Sequence, residues 1–406
     1  MPNARTSPDW VLSAVIYEVN TRNFSEAGNF DGVTTRLEEL ARLGVTVIWL
    51  MPVHPIGVDR RKGTYGSPYS VRDFYAIDAN FGDAFDLKRL VTWAHTLGLK
   101  VIIDIVANHT SWDSVMMTRP EFYKHNADGQ VISPEPDWTD VAALNYANKD
   151  LRRYMIDMLE YWIREFHLDG FRCDVAGYVP TDFWNEARAA LNHLNRSLFL
   201  LAEWHSGDLL EHAFDAGYAW PFHKTLNAVL LNGAPASKLR DSWMEENKAL
   251  PGGGLELRFT DNHDERRALA RFGEKATLTA SFLMFALDGI PLLYNGQEAG
   301  DTTESGAPAL FDRLPIYWPN ATRRPNFRPF YEKLIALRKE NAALQQGRVK
   351  WLPNDSPNSL LTFERREKDQ AISVSVNLSS TPVGDLPAWG ARAVDARDGR
   401  VLLELR

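Results

Sequence analysis

Three carboxylates stand at the ends of short apolar runs. Asp174 follows Gly170-Phe171-Arg172-Cys173, Glu203 follows Leu200-Leu201-Ala202, and Asp264 closes the stretch Phe259–Asp264 behind Asn262 and His263. A fourth, Asp104, ends Val101-Ile102-Ile103 and precedes Asn108 and His109. Arg172 and Asp174 are two residues apart, so in a strand they share a face and Cys173 points the other way. An arginine beside a carboxylate lowers its pKa and keeps it ionised, which suits a nucleophile. Glu203 lies among Leu200, Leu201, Ala202 and Trp204, neighbours that would raise its pKa and suit a general acid. Two carboxylates in unlike environments are what glycosidic bond cleavage requires.

Each group alone has a plainer reading. A single strand-end carboxylate fits a solvated loop or a helix cap, and Arg172 with Asp174 alone fits a structural ion pair. His109 or His263 alone fits a hydrogen-bonded structural histidine, and Tyr69 or Trp204 alone fits packing. Their convergence on one face decides between these readings, because active sites of parallel barrels collect at the C-terminal ends of strands. A metal-dependent hydrolase barrel is the natural rival, but it would show a His-x-His pair on an early strand, and this chain has none.

The elements that must position these groups repeat. Val45–Leu50, bounded by Gly44, reads as a buried strand, and Val33, Leu37, Leu40 and Ala41 before it recur at helical spacing. The same unit returns with Leu87, Leu90, Val91 and Ala94 before Val101–Ile105, and with Leu151, Met155, Met158, Leu159 and Trp162 before Phe171–Asp174. Further strands are predicted at Ala14–Tyr17, Leu198–Ala202, Phe214–Gly217, Leu255–Phe259 and Ile290–Tyr294. Eight strands alternating with helices predict an α/β fold, a (β/α)8 barrel. A doubly wound sheet would need a Gly-rich phosphate turn opening a helix; Gly252-Gly253-Gly254 leads into a strand instead.

Two stretches break the repeat. Residues 107–147 form a polar excursion too long for an ordinary loop and are read as a small inserted domain after strand three. Residues 295–326 form a second long loop after strand eight, followed by a helix at roughly 327–341. Beyond it Ile372, Val374, Val376 and Leu378 alternate with Ser373, Ser375 and Asn377, so 346–406 is read as a C-terminal antiparallel β domain. The barrel is then assigned to residues 1–106 and 148–345.

Composition narrows the partners. The 406 residues carry a net charge of −8, which gives no electrostatic reason to bind nucleic acid or an anionic membrane. The single cysteine, Cys173, rules out an intrachain disulfide and a thiolate zinc site. The aromatic complement of 13 Trp, 13 Tyr and 20 Phe offers faces for stacking on sugar rings. Residues Met1–Thr6 lack the apolar run of a secretory signal, so the expected location is cytoplasmic, or extracellular if a leader has been removed. The sequence gives no signal on oligomeric state.

At this point a family resemblance emerges. Asp104–His109, Gly170–Asp174, Leu201–Glu203 and Phe259–Asp264 resemble, in order and spacing, the four signature regions of the α-amylase family of glycoside hydrolases. Gly66-Ser67-Pro68-Tyr69, Pro291–Glu298 and Leu334–Lys339 are similar to its supporting stretches. The resemblance implies that Asp174 is the nucleophile, Glu203 the acid/base, and Asp264 a third carboxylate that binds sugar hydroxyls and distorts the ring. It implies that Tyr69, His109, Arg172 and His263 bind the sugar in subsite −1, and that an α-glucan or maltooligosaccharide is cleaved at α-1,4 bonds with retention. The same residues would serve a glucanotransferase or an α-glucosidase of the family. A non-catalytic carbohydrate-binding relative would lack a carboxylate, and all three are present.

The departures are informative. Calcium-binding members take ligands from the asparagine matching Asn108 and from an aspartate where this chain has Ala143, within Val141-Ala142-Ala143-Leu144-Asn145. An alanine side chain cannot coordinate a hard cation, so no cofactor or metal is expected, with Asp128, Asp137 and Asp140 as the possible substitutes if calcium binds. Where many amylases place a Lys-His pair after the nucleophile, this chain has Val175-Ala176-Gly177-Tyr178, which leaves acceptor preference open. The short inserted segment is expected to leave a more open cleft.

Overall fold

A computed structural model describes residues 2–194 and 197–406, so Met1 of the N-terminal stretch lies outside the described residues. Eight parallel strands close into a barrel: β1 (Ile16–Val19), β2 (Val47–Leu50), β3 (Lys100–Ile105), β4 (Gly170–Cys173), β5 (Phe199–Ala202), β6 (Ala216–Tyr218), β7 (Leu255–Arg258) and β8 (Ile290–Tyr294). Each strand pairs with its sequence neighbours, and β1 closes on β8 with Ile16 opposite Leu292. All eight predicted strands are present. Most boundaries shift by one or two residues: the apolar runs begin before the ladder at Val45, Leu198 and Phe214, whereas β1 continues past Tyr17 to Val19.

Strands of such a barrel are buried on both faces, which explains the near-continuous apolar runs. One face fills the barrel interior with Ile16, Val47, Trp49, Ile102, Phe199, Leu201, Tyr218, Leu257 and Leu292. The other packs Tyr17, Ile48, Ile103, Phe171, Cys173 and Leu200 under the surrounding helices. Helix Leu37–Leu43 stops at Gly44, whose φ of 101° is open to glycine and disfavoured for other residues. Helix Ala84–Thr96 starts from a capping box between Asp83 and Asp86. At the entry to β4, a side chain on Gly170 would meet the Phe199 carbonyl at 1.8 Å, so the β4–β5 approach requires glycine there.

After β3 the chain forms a two-stranded antiparallel ribbon, His109–Ser111 against Val141–Ala143, with short 3-10 turns between. The helix predicted at 327–341 spans Phe327–Glu340. Beyond it five antiparallel strands follow in order, β9 (Arg348–Trp351), β10 (Leu360–Glu367), β11 (Gln370–Asn377), β12 (Ala391–Asp395) and β13 (Val401–Leu405). Ile372, Val374 and Val376 are buried, as the alternation predicts. Asn377 departs from it: it is also buried, because its amide donates to the carbonyls of Thr381 and Pro387, both at 2.8 Å. Among the described residues no helix is long and apolar enough to cross a membrane.

Candidate active site

The C-terminal ends of the barrel strands surround a cleft of about 350 Å³, lined by Tyr69, His109, Asp174, Glu203, His263 and Asp264 among others. Behind the carboxylates lies Arg172, which projects inward from β4 and is fully buried. Arg172 Nη1 donates to Asp104 Oδ1 at 2.8 Å and to Asp174 Oδ1 at 3.0 Å. Its Nη2 lies 2.9 Å from Glu203 Oε1, an ionic contact without hydrogen-bond alignment. One guanidinium therefore serves three carboxylates from three strands. Burial alone would lower its pKa, but Asp104 and Glu203 raise it well above the ordinary value, so it is a fixed cation.

This sharing corrects the expectation for Asp174. Arg172 does oppose protonation there, but burial is the larger influence, and Asp104 and Asp264 add like charge, so Asp174 rises to about 7. Burial pushes Glu203 further, to about 8, against Arg172 and with Asp174 and Asp264 reinforcing the rise. The two carboxyls titrate as a pair in which the first proton goes to Glu203. Once Glu203 is neutral, Asp174 loses a repelling neighbour and keeps its own hydrogen bond from Arg172.

Glu203 Oε2 accepts a hydrogen bond of 2.8 Å from the Val175 amide. Val175 has φ 36° and ψ 49°, a left-handed backbone that is rare for a β-branched residue. The strain falls on the residue after Asp174 and turns its N–H toward the second carboxylate.

The remaining sequence-predicted residues meet here as well. Tyr69 OH donates to Asp104 Oδ2 at 3.0 Å, so the 2.6 Å contact with His263 Nε2 is one in which the histidine N–H donates. The two rings stack, with centroids 5.2 Å apart and planes at 23°. His263 Nε2 also lies 3.3 Å from Asp264 Oδ2. His109 Nδ1 faces the Asn108 amide at 3.2 Å and so accepts, which leaves the proton on Nε2. Burial lowers His109 to about 4, and it is neutral at pH 7.

Glu18, on β1, was not foreseen. It is fully buried and its Oε1 lies 2.5 Å from His263 Nδ1. Burial alone would lower the histidine's pKa, but Asp264 and Glu18 lift it to about 9. Proton-bearing contacts thus run from Glu18 through His263, Tyr69 and Asp104 to Arg172. The sequence signal was a lone acid inside the apolar run Ile16–Val19, a position that demands a partner. Also unforeseen are Trp138, whose ring lies 5.5 Å from His109, and Lys62, Leu310 and Phe311, which line the cleft.

The donor set for calcium does not fit. The Asn108 amide nitrogen faces His109, and Ala143 pairs with His109 across the ribbon without offering a side-chain oxygen. Of the substitutes, Asp140 is ion-paired with Lys62 Nζ at 3.0 Å, and the same ammonium donates to the Asp137 carbonyl at 2.5 Å. Among the described residues no group of three or more His, Cys, Asp or Glu side chains could hold a metal ion.

Comparison with known proteins decides the family. The catalytic domain of the α-amylase family matches residues 16–138 and 135–323. The chain belongs to the α-amylase family. Like other members it is a glycoside hydrolase. It is 27% identical to the intracellular maltogenic amylase of Bacillus subtilis, a match that covers 88% of this chain and 67% of that one. A noncanonic maltogenic α-amylase from Thermotoga neapolitana superimposes with a TM-score of 0.86 at 30% identity, covering 95% of this chain and 89% of the other. An α-amylase from Lactobacillus plantarum gives 0.84 at 32% identity, over 97% of each chain. As an α-amylase family member the chain has its expected (β/α)8 barrel and C-terminal antiparallel sheet.

Proposed function

We propose that this enzyme hydrolyses α-1,4-glucosidic bonds of maltooligosaccharides with retention, using Asp174 as nucleophile and Glu203 as acid/base. The observation that carries the reading is the single Arg172 guanidinium touching both carboxyls, at 3.0 and 2.9 Å, while burial leaves Glu203 the more readily protonated. Protonated Glu203 delivers its proton to the glycosidic oxygen as ionised Asp174 attacks the anomeric carbon. Glu203, now a carboxylate, removes a proton from the water that cleaves the glycosyl ester, and the pair returns to its starting state.

The other groups bind the sugar. Asp264, the most exposed of the three carboxylates with a side chain 37% accessible, accepts from sugar hydroxyls, and charged His263 donates beside it. Neutral His109 offers its Nε2–H, and Tyr69 presents the ring face that is not stacked on His263. No metal takes part in this reading, which rests on the alanine at 143 and on the lysine that occupies Asp140. An intracellular site of action is supported by the relative named as intracellular.

A 2-deoxy-2-fluoro or 5-fluoro α-glucosyl fluoride tests the reading. Its expected product is an ester whose added mass maps to the peptide containing Asp174. A label on Glu203 or Asp264, or release of the inverted anomer from maltoheptaose, removes Asp174 from that role.

A further inference from the structure

We propose that the cleft is walled at its donor end, so that the enzyme removes short units of fixed length from non-reducing ends and does not cut chains internally. The proposal rests on Glu203 being the acid, because the acid fixes the direction of the bound chain. Glu203 protonates the leaving oxygen, so the departing part of the substrate lies over the β5 side. In the closed order β1-β8-β7-β6-β5-β4-β3-β2, the strand opposite β5 is β1. The retained sugars therefore extend toward β1 and the loops that flank it, those after β2 and β8.

These two loops are joined across the path. The Tyr65 amide donates to the Phe311 carbonyl at 2.9 Å, and the Thr64 amide to Asp312 Oδ1 at 3.2 Å. A Cβ on Gly63 would sit 2.5 Å from Phe311 Cβ, so the two loops meet at backbone distance. Arg22, just beyond β1, supports the seam from below: Nη1 donates to the carbonyls of Gly66 at 3.2 Å and Leu310 at 3.3 Å. Arg22 is 8% exposed, so this is an internal brace and not a surface contact.

On its other side the β2 loop is tied to the inserted segment. Lys62 binds Asp140 and the Asp137 carbonyl, and the Arg60 guanidinium lies 3.8 Å over the Trp112 ring. The rim thus runs without a break from the inserted segment through residues 60–65 to residues 310–312. Lys62, Leu310 and Phe311 face into the cleft from this rim. Phe311 offers a terminal sugar an apolar edge, and the Lys62–Asp140 pair offers its hydroxyls a donor and an acceptor. The acceptor side differs in kind: Tyr178 is 39% exposed there, its ring 5.4 Å from Trp204 and 5.9 Å from Trp138 and its hydroxyl donating to Glu135 at 2.8 Å, an aromatic surface held by side-chain contacts where the donor side is joined backbone to backbone. An internal cut needs room for chain on both sides of the scissile bond, and the backbone seam takes that room away on the donor side.

The test uses maltoheptaose labelled with a fluorophore at its reducing end, and the same substrate with its non-reducing end capped as a 4,6-acetal. From the uncapped substrate, the first labelled products should be shorter by one fixed step, and the capped one should be cleaved at least 50-fold more slowly. A spread of labelled lengths at the first turnovers, or equal rates with and without the cap, overturns the proposal. Failure to cleave an unlabelled maltooligosaccharide at all overturns the hydrolase reading as well, so the two failures are distinct. In Lys62→Ala/Phe311→Ala the wall loses two of its facing side chains, and the rate penalty of the cap should fall at least fivefold. If that variant does not fold, the wild-type comparison alone decides.

Discussion

Replacing Glu203 with Gln removes one titration and almost no shape, so it isolates what burial of that carboxyl costs. The ordinary glutamate value is 4.5, and burial raises Glu203 to about 8 in the folded protein. The folded state therefore holds this proton more tightly than the unfolded chain does. Its contribution to stability is complete below about 4.5 and is lost as pH rises through about 8. At about 1.4 kcal/mol per pH unit the ceiling is roughly 5 kcal/mol. Asp174 takes up part of the same proton load and the cleft is open to water, so ~2–5 kcal/mol is the expected range. The side-chain amide of Glu203→Gln never ionises and keeps an oxygen for the Val175 amide. The variant should match wild type near pH 5 and exceed it at pH 9. For a chain this long, entropy scaling converts that gain into roughly 2–6 °C in Tm. Thermal or denaturant unfolding of both proteins at the two pH values measures it. A gap that is the same at both pH values would mean that Arg172 keeps Glu203 ionised, and the general-acid assignment would fall with it. The same variant should lose about a hundredfold or more in kcat on maltoheptaose yet still be glycosylated by a glucosyl fluoride, whose leaving group needs no proton.

Other perturbations probe the same geometry. Asp174→Asn should keep the fold and lose nearly all turnover, since an amide cannot form the glycosyl ester; activity within tenfold of wild type contradicts the assignment. The wild-type kcat/KM should be bell-shaped, falling below about 7 as Asp174 is protonated and above about 8 as Glu203 ionises, and a flat profile from pH 6 to 9 contradicts it. Exhaustive chelation should leave activity and Tm unchanged, whereas a calcium-dependent rise of several degrees would show that Asp128 or Asp137 completes a site after all. Glu18→Gln should lower kcat/KM about tenfold, roughly 1.4 kcal/mol, with Tm little changed, because His263 loses the carboxylate that keeps it charged; an unaltered kcat/KM makes Glu18 a packing residue only.

The strand-end acids were legible because a parallel barrel writes its site in a regular way, an apolar run followed by a polar residue at the rim. Asp174 and Glu203 follow that rule, whereas Asp104 lies inside β3 and is fully buried. Tyr69, His109, His263 and Asp264 line one cleft with Asp174 and Glu203, and Arg172 lies behind them. The protonation balance was not legible: spacing showed Arg172 beside Asp174 but not that the same guanidinium also holds Asp104 and Glu203, nor how deeply all of them lie. Glu18 was hidden for a different reason, its partner being 245 residues away. The predicted open cleft came from the length of the inserted segment alone. What faces the cleft beside that segment depends on residues 60–65 and 310–312, and nothing in either loop names the other.

The seam between β1 and β8 has a consequence for how the enzyme comes into being. Ile16 pairs with Leu292, Tyr17 OH donates to Glu298 at 2.8 Å, and Glu18 reaches His263. A ribosome delivers the first strand long before β8, its neighbour on that side, exists. Until His263, just behind β7, emerges, Glu18 is an acid in an apolar segment without the partner it has in the closed barrel, a standing penalty that disfavours any early, half-closed barrel. Turnover can then begin only after the last strand has docked, so the appearance of activity during synthesis or refolding marks ring closure itself and not the earlier growth of helices and strands.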